Sequence, residues 1–345
     1  ENQKALTKLK QLVTEFPNSQ EALQAVKTVR LIYIDLGQID SYASWVRGLD
    51  FVEVADSDIE EATYEAAENK FLNNDTEEAI QGYKKYLDKF PNSKNSLKSN
   101  FYLAQLLFNN DQKQESVEYY KEIVNSSSSE FTEESLRRLA QIYMSNEEYD
   151  EAISILKQLE TEASFSQNIV FAQSNLMKSY YKLENFEQAI IYAELILKKD
   201  NIEVDIIRDA KIFIARASMK VGDEKRAKSA YEDVFNSASG KQKAEALYHE
   251  AYFKNKEGQF EASTDVVQDL TKNYSRFREF GVKGLLLMAK NFNALGDDYQ
   301  ATYILENIIK NFKSYPEAIY EAEALLQQIK TDAAETNSSV KIDNN

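Results

Sequence analysis

The chain of 345 residues contains no cysteine, one histidine, nine glycines and three prolines. Without cysteine, disulfide bonds, thiol catalysis and thiolate metal sites are excluded. So few glycines and prolines argue against the many tight turns of a β-sandwich or β-barrel and favour long helices. No apolar run approaches the ~18 residues that a transmembrane helix needs, so no membrane span is predicted.

Acidic side chains outnumber basic ones by 57 to 41, which gives a formal net charge of −16. A protein whose main ligand is nucleic acid needs a dominant basic surface against the phosphate backbone, so we expect no nucleic-acid partner. With 43% apolar residues, the chain can bury a large core. The absence of cysteine fits the cytosol and the periplasm equally.

A residue that is small in eight of its nine copies recurs at intervals of 36 to 38 residues. These anchor residues are Ala5, Tyr42, Ala79, Ser116, Ala152, Ala189, Ala227, Ser263 and Ala301. The residue seven positions after each anchor is apolar in every copy, and alanine stands twelve positions before six of the eight complete anchors. Small residues at two fixed places in each repeat allow two helices to approach closely.

The apolar residues inside one repeat follow helical periodicity. Two sets separated by a polar break have the i, i+3, i+4 spacing of a helix face: Leu136, Leu139, Ala140 and Tyr143, then Ala152, Ile155, Leu156 and Leu159. Each repeat therefore predicts two antiparallel helices joined by a tight turn.

This pattern resembles the tetratricopeptide repeat family, whose register is matched best by Leu139, Ala140, Tyr143, Tyr149, Ala152, Leu156 and Leu159. The resemblance implies an all-α fold, a right-handed α-solenoid of stacked antiparallel helix pairs. The repeats of 36 to 38 residues exceed the usual length of about 34, so longer loops between repeats are expected.

The predicted organisation has three parts. Residues 1–313 form the solenoid, with a half repeat at 1–18 followed by eight repeats anchored near 42, 79, 116, 152, 189, 227, 263 and 301. Residues 314–330 form a capping helix, and 331–345 form a disordered tail. Because a half repeat exposes an uncapped apolar face, we expect either further repeats before Glu1 or a first repeat that has lost its first helix.

Segments 131–144, 171–181, 253–263 and 288–312 resemble long repeat proteins of the Bacteroidota cell envelope, described as Tol–Pal-associated or outer-membrane-assembly-like. The resemblance implies a periplasmic or outer-membrane-associated protein, and a cytoplasmic protein is the alternative. Membrane association would then come through a partner or through a segment before residue 1.

Residues able to carry catalysis are scarce. His249 is the only histidine, and it is interpreted as a partly buried helix residue in preference to a general base. Adjacent carboxylates such as Glu133 and Glu134 point to different sides of a helix and make no catalytic pair. Glycine-rich phosphate loops and calcium-loop patterns are missing as well. We therefore predict no enzymatic activity, no cofactor and no metal site.

The resemblance implies that the first helix of each repeat lines a concave groove. The candidate partner-binding residues are Tyr64, Phe71, Phe101 and Phe108 in the N-terminal half and Lys178, Tyr181, Lys182, Arg216, Lys220, Tyr248, Tyr252, Lys256 and Lys290 in the C-terminal half. Six of them are basic, which predicts a protein or peptide partner with acidic segments. The alternative is that these lysines only solvate a helix face.

Three functions remain open at this point. The preferred hypothesis is a non-enzymatic protein–protein interaction scaffold, an assembly or adaptor subunit of the cell envelope. The second is a regulatory or targeting arm of a larger enzyme or secretion machine. The third is a glycan- or peptidoglycan-binding envelope protein that uses the tyrosine-rich groove.

Overall fold

A computed structural model describes the backbone of residues 1–342 and the side chains of residues 1–335. Over that part of the chain it contains eighteen α-helices and no strand. Unit 1 comprises Glu1–Ala172 and unit 2 begins at Gln173, so the division falls inside a helix and not at a linker.

Unit 1 consists of nine helices and the start of a tenth. These are α1 (Asn2–Glu15), α2 (Gln20–Asp35), α3 (Ile39–Val46), α4 (Asp56–Leu72), α5 (Thr76–Lys89), α6 (Ser96–Asn109), α7 (Lys113–Val124), α8 (Thr132–Ser145), α9 (Tyr149–Glu162) and the first part of α10 (Ser166–Lys182).

Unit 2 continues the same alternation. It holds the rest of α10, then α11 (Phe186–Leu197), α12 (Val204–Val221), α13 (Glu224–Ser237), α14 (Gly240–Lys256), α15 (Phe260–Asn273), α16 (Arg278–Ala294), α17 (Asp298–Asn311) and α18 (Pro316–Ile342). From α2 to α17, the even-numbered helix is the first of each pair and the odd-numbered helix is the second. The stacked pairs confirm the predicted all-α fold class.

The core of both units is built around the anchor residues. Seven of the nine anchors have 0% exposed surface, and each of these seven lies in the second helix of a pair. Ser263 shows the geometry, because its hydroxyl donates to the backbone carbonyl of Ala251, twelve residues earlier, at 2.8 Å. The small residues at these two positions bring the two helices of a pair together, as their spacing predicts.

The turn inside each helix pair has the same backbone conformation in all eight pairs. The residue five positions before each anchor has a positive φ, between 59° and 80°. It is glycine in four pairs, but Asn74, Asp111, Glu147 and Glu184 fill the position in the other four. A left-handed residue ends the first helix and reverses the chain, so the turn geometry is kept even where glycine is missing.

The pair with the large anchor is irregular. Tyr42 occupies the anchor position of α3, which spans only eight residues. The ring of Tyr42 lies 6.2 Å from that of Tyr33 and 6.4 Å from that of Trp45. A buried tyrosine needs more room than alanine, and in this pair the short α3 is followed by an irregular segment before α4.

The last helix is longer than predicted. α18 begins at Pro316, where proline is tolerated in the first turn, and it continues past Lys330 to Ile342. The predicted disordered tail is therefore wrong for residues 331–342, and residues 343–345 lie outside the described part. Ala333, Ala334 and Glu335 are good helix formers, and no glycine or proline interrupts the segment.

The close approach inside a pair predicts opposite effects for two glycines in helices. A Cβ atom at Gly82 in α5 would lie 2.9 Å from Cβ and 3.0 Å from Cα of Ala67, so Gly82→Ala should destabilise the protein by about 1–2 kcal/mol. A Cβ atom at Gly281 in α16 meets nothing within 4 Å, so Gly281→Ala should stabilise it by about 0.5–1 kcal/mol. Urea denaturation measures both, and equal signs would contradict the prediction.

Candidate functional site

Ion pairs link successive first helices of unit 2. Lys178 Nζ on α10 lies 3.3 Å from the Asp209 carboxylate on α12. Lys290 Nζ on α16 lies 2.5 Å from the Glu321 carboxylate on α18. These pairs cross from one repeat to the next, and they occupy basic side chains that the sequence analysis assigned to a partner.

The third pair of this kind is more deeply buried. Arg216 on α12 donates from Nε and Nη2 to the two carboxylate oxygens of Glu245 on α14, at 2.7 and 2.6 Å. Glu245 is 5% exposed and also accepts a hydrogen bond from the Tyr231 hydroxyl at 3.2 Å. The hydrogen bonds to Glu245 raise the pKa of Arg216 above its ordinary value. This planar, doubly bonded arrangement holds α12 and α14 in one register.

A fourth predicted basic residue, Lys256, is paired with a second helix. Its Nζ atom lies 2.6 Å from the carboxylate of Glu224 at the start of α13, and that hydrogen bond raises the pKa of Lys256. Within the described part of the chain, Lys182 and Lys220 form no ion pair and are exposed. Four of the six predicted basic residues are therefore paired with carboxylates of the chain itself.

The three predicted tyrosines of unit 2 lie half-buried on the same first helices. Tyr181 contacts the rings of Phe186 and Phe213 edge-on, with centroids 5.3 and 5.0 Å away. Burial raises the pKa of Tyr248 to about 12. The Nζ atom of Lys256 lies 5.7 Å from the centre of the Tyr252 ring. These rings combine partial exposure with fixed packing, which suits contact with another protein.

The predicted aromatic residues of unit 1 divide into two groups. Tyr64 and Phe101 are buried, with 6% and 8% exposure, so a partner cannot reach them and the prediction is wrong for both. The hydroxyl of Tyr64 donates to Glu68 at 2.6 Å, and the ring of Phe101 stacks on Phe131 at 4.6 Å. The repeat register correctly locates them on first helices, but large rings at those positions pack against the next helix and not into solvent.

Phe71 and Phe108 remain half-buried and lie on the first helices α4 and α6. Phe71 stacks on Tyr102 with centroids 4.7 Å apart. The guanidinium carbon of Arg138 lies 4.6 Å from the centre of the Phe108 ring. Each ring is therefore engaged on one face by a neighbouring side chain.

His249 has the packing role that the sequence favoured. Its ring stacks on Tyr231 with centroids 3.9 Å apart, and burial lowers its pKa to about 3. Its Nδ1 atom is buried without a hydrogen-bond partner. Among the described residues, no group of three or more acidic or histidine side chains could hold a metal ion. In the same part of the chain, no helix has both the length and the apolar character to cross a bilayer.

Three carboxylates that complete this face are not among the residues predicted from the sequence. Asp209, Glu245 and Glu321 stand 31, 29 and 31 residues after the basic residues that they bind. A base followed by an acid about one repeat later is a signal that could have identified them. The spacing of 29 to 31 residues between base and acid is shorter than the repeat of 36 to 38 residues. The reason is that the acid lies nearer the start of its helix than the base does.

Two segments of the chain, residues 61–93 and 134–162, match family models described as tetratricopeptide repeat. They coincide with the helix pairs α4–α5 and α8–α9. The similarity in sequence to tetratricopeptide repeats therefore covers 62 of the 345 residues. Such repeats generally mediate protein–protein interaction. No curated protein matches the chain in sequence.

The chain is similar to solved tetratricopeptide repeat proteins. The C-terminal part of such a protein from Cytophaga hutchinsonii has a TM-score of 0.50 and 16% identity, over 74% of this chain and 97% of that one. A tetratricopeptide repeat protein from Parabacteroides merdae has a TM-score of 0.40 and 15% identity, over 76% of this chain and 98% of that one. At such identities the likeness concerns the fold alone.

Removing the charge of Glu245 should destabilise unit 2. Glu245→Gln leaves Arg216 half-buried without its counter-charge, and we expect a loss of about 2–3 kcal/mol in the free energy of unfolding. Glu224→Gln removes the exposed partner of Lys256 and is the matched control, with no measurable loss expected. Denaturant titration measures both variants, and a larger loss for Glu224→Gln would refute this account.

The half-buried His249 should make the protein sensitive to acid. Its folded pKa of about 3 lies below the ordinary value of about 6.5, so the unfolded chain binds the proton more readily between these values. Stability is therefore lost as pH falls from 6.5 toward 3, by about 1 kcal/mol between pH 6 and pH 5. His249→Phe keeps the stacked ring and cannot titrate, so its unfolding free energy should fall less over this range. Identical pH profiles would disprove the assignment.

Proposed function

We propose that the protein is a non-enzymatic scaffold that binds another protein through the first-helix face of unit 2. This face is defined by Tyr181, Tyr248 and Tyr252 together with the ion pairs between first helices. The observation that carries the proposal is the packing of these tyrosines, which are half-exposed yet held by neighbouring rings.

Rigid aromatic side chains of this kind supply much of the binding energy at protein interfaces. They lose little conformational entropy on binding, because their packing already restricts them. The ion pairs Lys178–Asp209 and Arg216–Glu245 add a fixed polar pattern around the rings. A partner with complementary charges and apolar anchors would match both features.

The two alternative functions would use the same first-helix face of unit 2. In a larger enzyme or secretion machine it would be the targeting arm, and the binding chemistry would be unchanged. A glycan ligand would use the tyrosines as stacking platforms, and binding on a glycan array without capture of a protein in pull-downs would indicate it.

We further propose an envelope location, periplasmic or outer-membrane-associated. This proposal rests on the resemblance of four sequence segments to envelope repeat proteins of Bacteroidota. Contact with a membrane would be made through the partner. Cell fractionation with an antibody to the protein tests this, and recovery in the cytosolic fraction would reject it.

The binding face is tested with a matched pair of tyrosines. Tyr252→Ala on first helix α14 should reduce capture of the partner about tenfold in pull-downs from the native organism. Tyr303→Ala on second helix α17, where the ring is 62% exposed, is the control and should leave capture unchanged. A photo-crosslinking residue at each position identifies the contact directly. Crosslinks from position 303 without any from position 252 would overturn the assignment of the face.

A further inference from the structure

The outer side of α11 in unit 2 carries two exposed aliphatic residues. Ile191 is 45% exposed and Leu195 is 37% exposed, and they stand four residues apart, so they are neighbours on the helix surface. The opposite side of α11 holds Ala189, Ala193 and Ile196, which are fully buried. The core of unit 2 is therefore built from the other side of the helix, and the exposed pair is left to face solvent.

Comparison of the repeats shows that aliphatic residues at these two positions are particular to α11. Ile191 stands two residues after the anchor Ala189, and Leu195 stands six residues after it. In the other eight helices that carry an anchor, the same sixteen places hold fourteen polar residues, one glycine (Gly48) and one tyrosine (Tyr303). Because the outer side of such a helix is otherwise polar, an exposed aliphatic pair indicates a contact surface.

A charge of each sign lies at either end of the exposed pair. Glu187 precedes Ile191 by four residues and Lys198 follows Leu195 by three, so the four side chains share one side of α11. Neither charged residue forms an ion pair within the described part of the chain. We call this surface, made of Glu187, Ile191, Leu195 and Lys198, the α11 stripe.

The α11 stripe is complementary to itself when one copy is reversed. Along the helix it reads acid, aliphatic, aliphatic, base, and an antiparallel copy reads base, aliphatic, aliphatic, acid. With a two-fold axis between Ile191 and Leu195, each of these two residues meets the other in the second copy, and Glu187 meets Lys198. A parallel copy would place like charges together at both ends. The charge order therefore favours a second copy of this chain that runs antiparallel.

The neighbouring helix α13 does not obstruct such a contact. At its two equivalent positions stand Ser229 and Asp233, which are short, polar and exposed. Glu194, on the edge of α11 nearest α13, is already bound by Arg226 of that helix. The surface thus has an apolar centre and a polar surround, which is the arrangement of protein interfaces.

We propose that the α11 stripe binds the same stripe of a second copy of this chain, in an antiparallel pair related by a two-fold axis. The stripe lies on a second helix, so this pairing uses another surface than the first-helix face and does not depend on the proposed function. Two aliphatic residues from each copy make a small interface, and small interfaces give weak complexes that separate on dilution. We expect a dissociation constant of about 10–100 µM.

Sedimentation equilibrium of the full chain, from about 1 to 500 µM, measures the pairing. The unchanged protein should pass from monomer to dimer as its concentration rises. The double variant Ile191→Gln, Leu195→Gln introduces glutamine, which other repeats have at both positions, and its dissociation constant should rise about tenfold. Leu31→Gln removes a 60% exposed leucine from first helix α2 and is the matched control, with a change below about twofold. A monomer at every concentration, or equal weakening by Leu31→Gln, would show that the proposal is wrong.

The antiparallel orientation is tested by reversing one charge at a time. Glu187→Lys and Lys198→Glu each place like charges together at both ends of the pair, so either variant alone should dimerise about fivefold more weakly. An equimolar mixture of the two variants restores opposite charges at both ends and should recover the affinity of the unchanged protein. Each change also opposes the helix dipole, so circular dichroism checks the fold, and the glutamine variant keeps the proposal falsifiable. Unchanged pairing in the single variants, or no recovery in the mixture, would reject the antiparallel pair.

Photo-crosslinking in cells separates pairing of two copies from binding of another protein. A photo-reactive residue at position 195 should give a crosslinked species that contains two copies of this chain, as mass spectrometry identifies. Crosslinks from position 195 to a different protein alone would overturn the proposal. The result at position 252 bears only on the first-helix face, so failure of this inference and failure of the proposed function are distinguished.

Discussion

The close approach of two helices at the anchor residue is the constraint on which the rest of the structure depends. Seven anchors are fully buried, and at Gly82 the neighbouring helix leaves no room even for a methyl group. Once the two helix backbones meet at the anchor residue, the apolar residues of both helices point into the same core. The residue five positions before the anchor has a left-handed backbone conformation, and it reverses the chain between the first and the second helix. Each pair repeats this geometry with its own side chains.

The first-helix face of unit 2 follows from the same stacking. Helices that lie in fixed register place basic and acidic side chains of successive repeats opposite each other, as in Arg216–Glu245. These contacts neutralise most of the cations that the sequence assigns to a partner. The face is therefore patterned in charge and not simply positive.

Buried polar groups add specificity to a core made mainly of small and apolar residues. Asn291 is fully buried and donates to the hydroxyls of Ser263 and Thr264, at 2.9 and 3.1 Å. Asn255 donates to the amide oxygen of Asn291 at 2.6 Å. Every member of this network is satisfied, so it holds α14, α15 and α16 at a single relative height without the cost of an unpaired polar group.

The sequence by itself determined the all-α fold and the pairing of its helices, because helical periodicity and the recurrence of small residues are local and additive over nine copies. It also placed Lys178, Arg216 and Tyr252 on first helices. Only the tertiary structure decided that Tyr64 and Phe101 are buried, that α18 continues beyond Lys330, and that four of six basic residues are paired. An ion pair joins side chains about thirty residues apart on different helices, and whether they meet depends on the relative height and rotation of those helices, which packing sets and no single helix encodes.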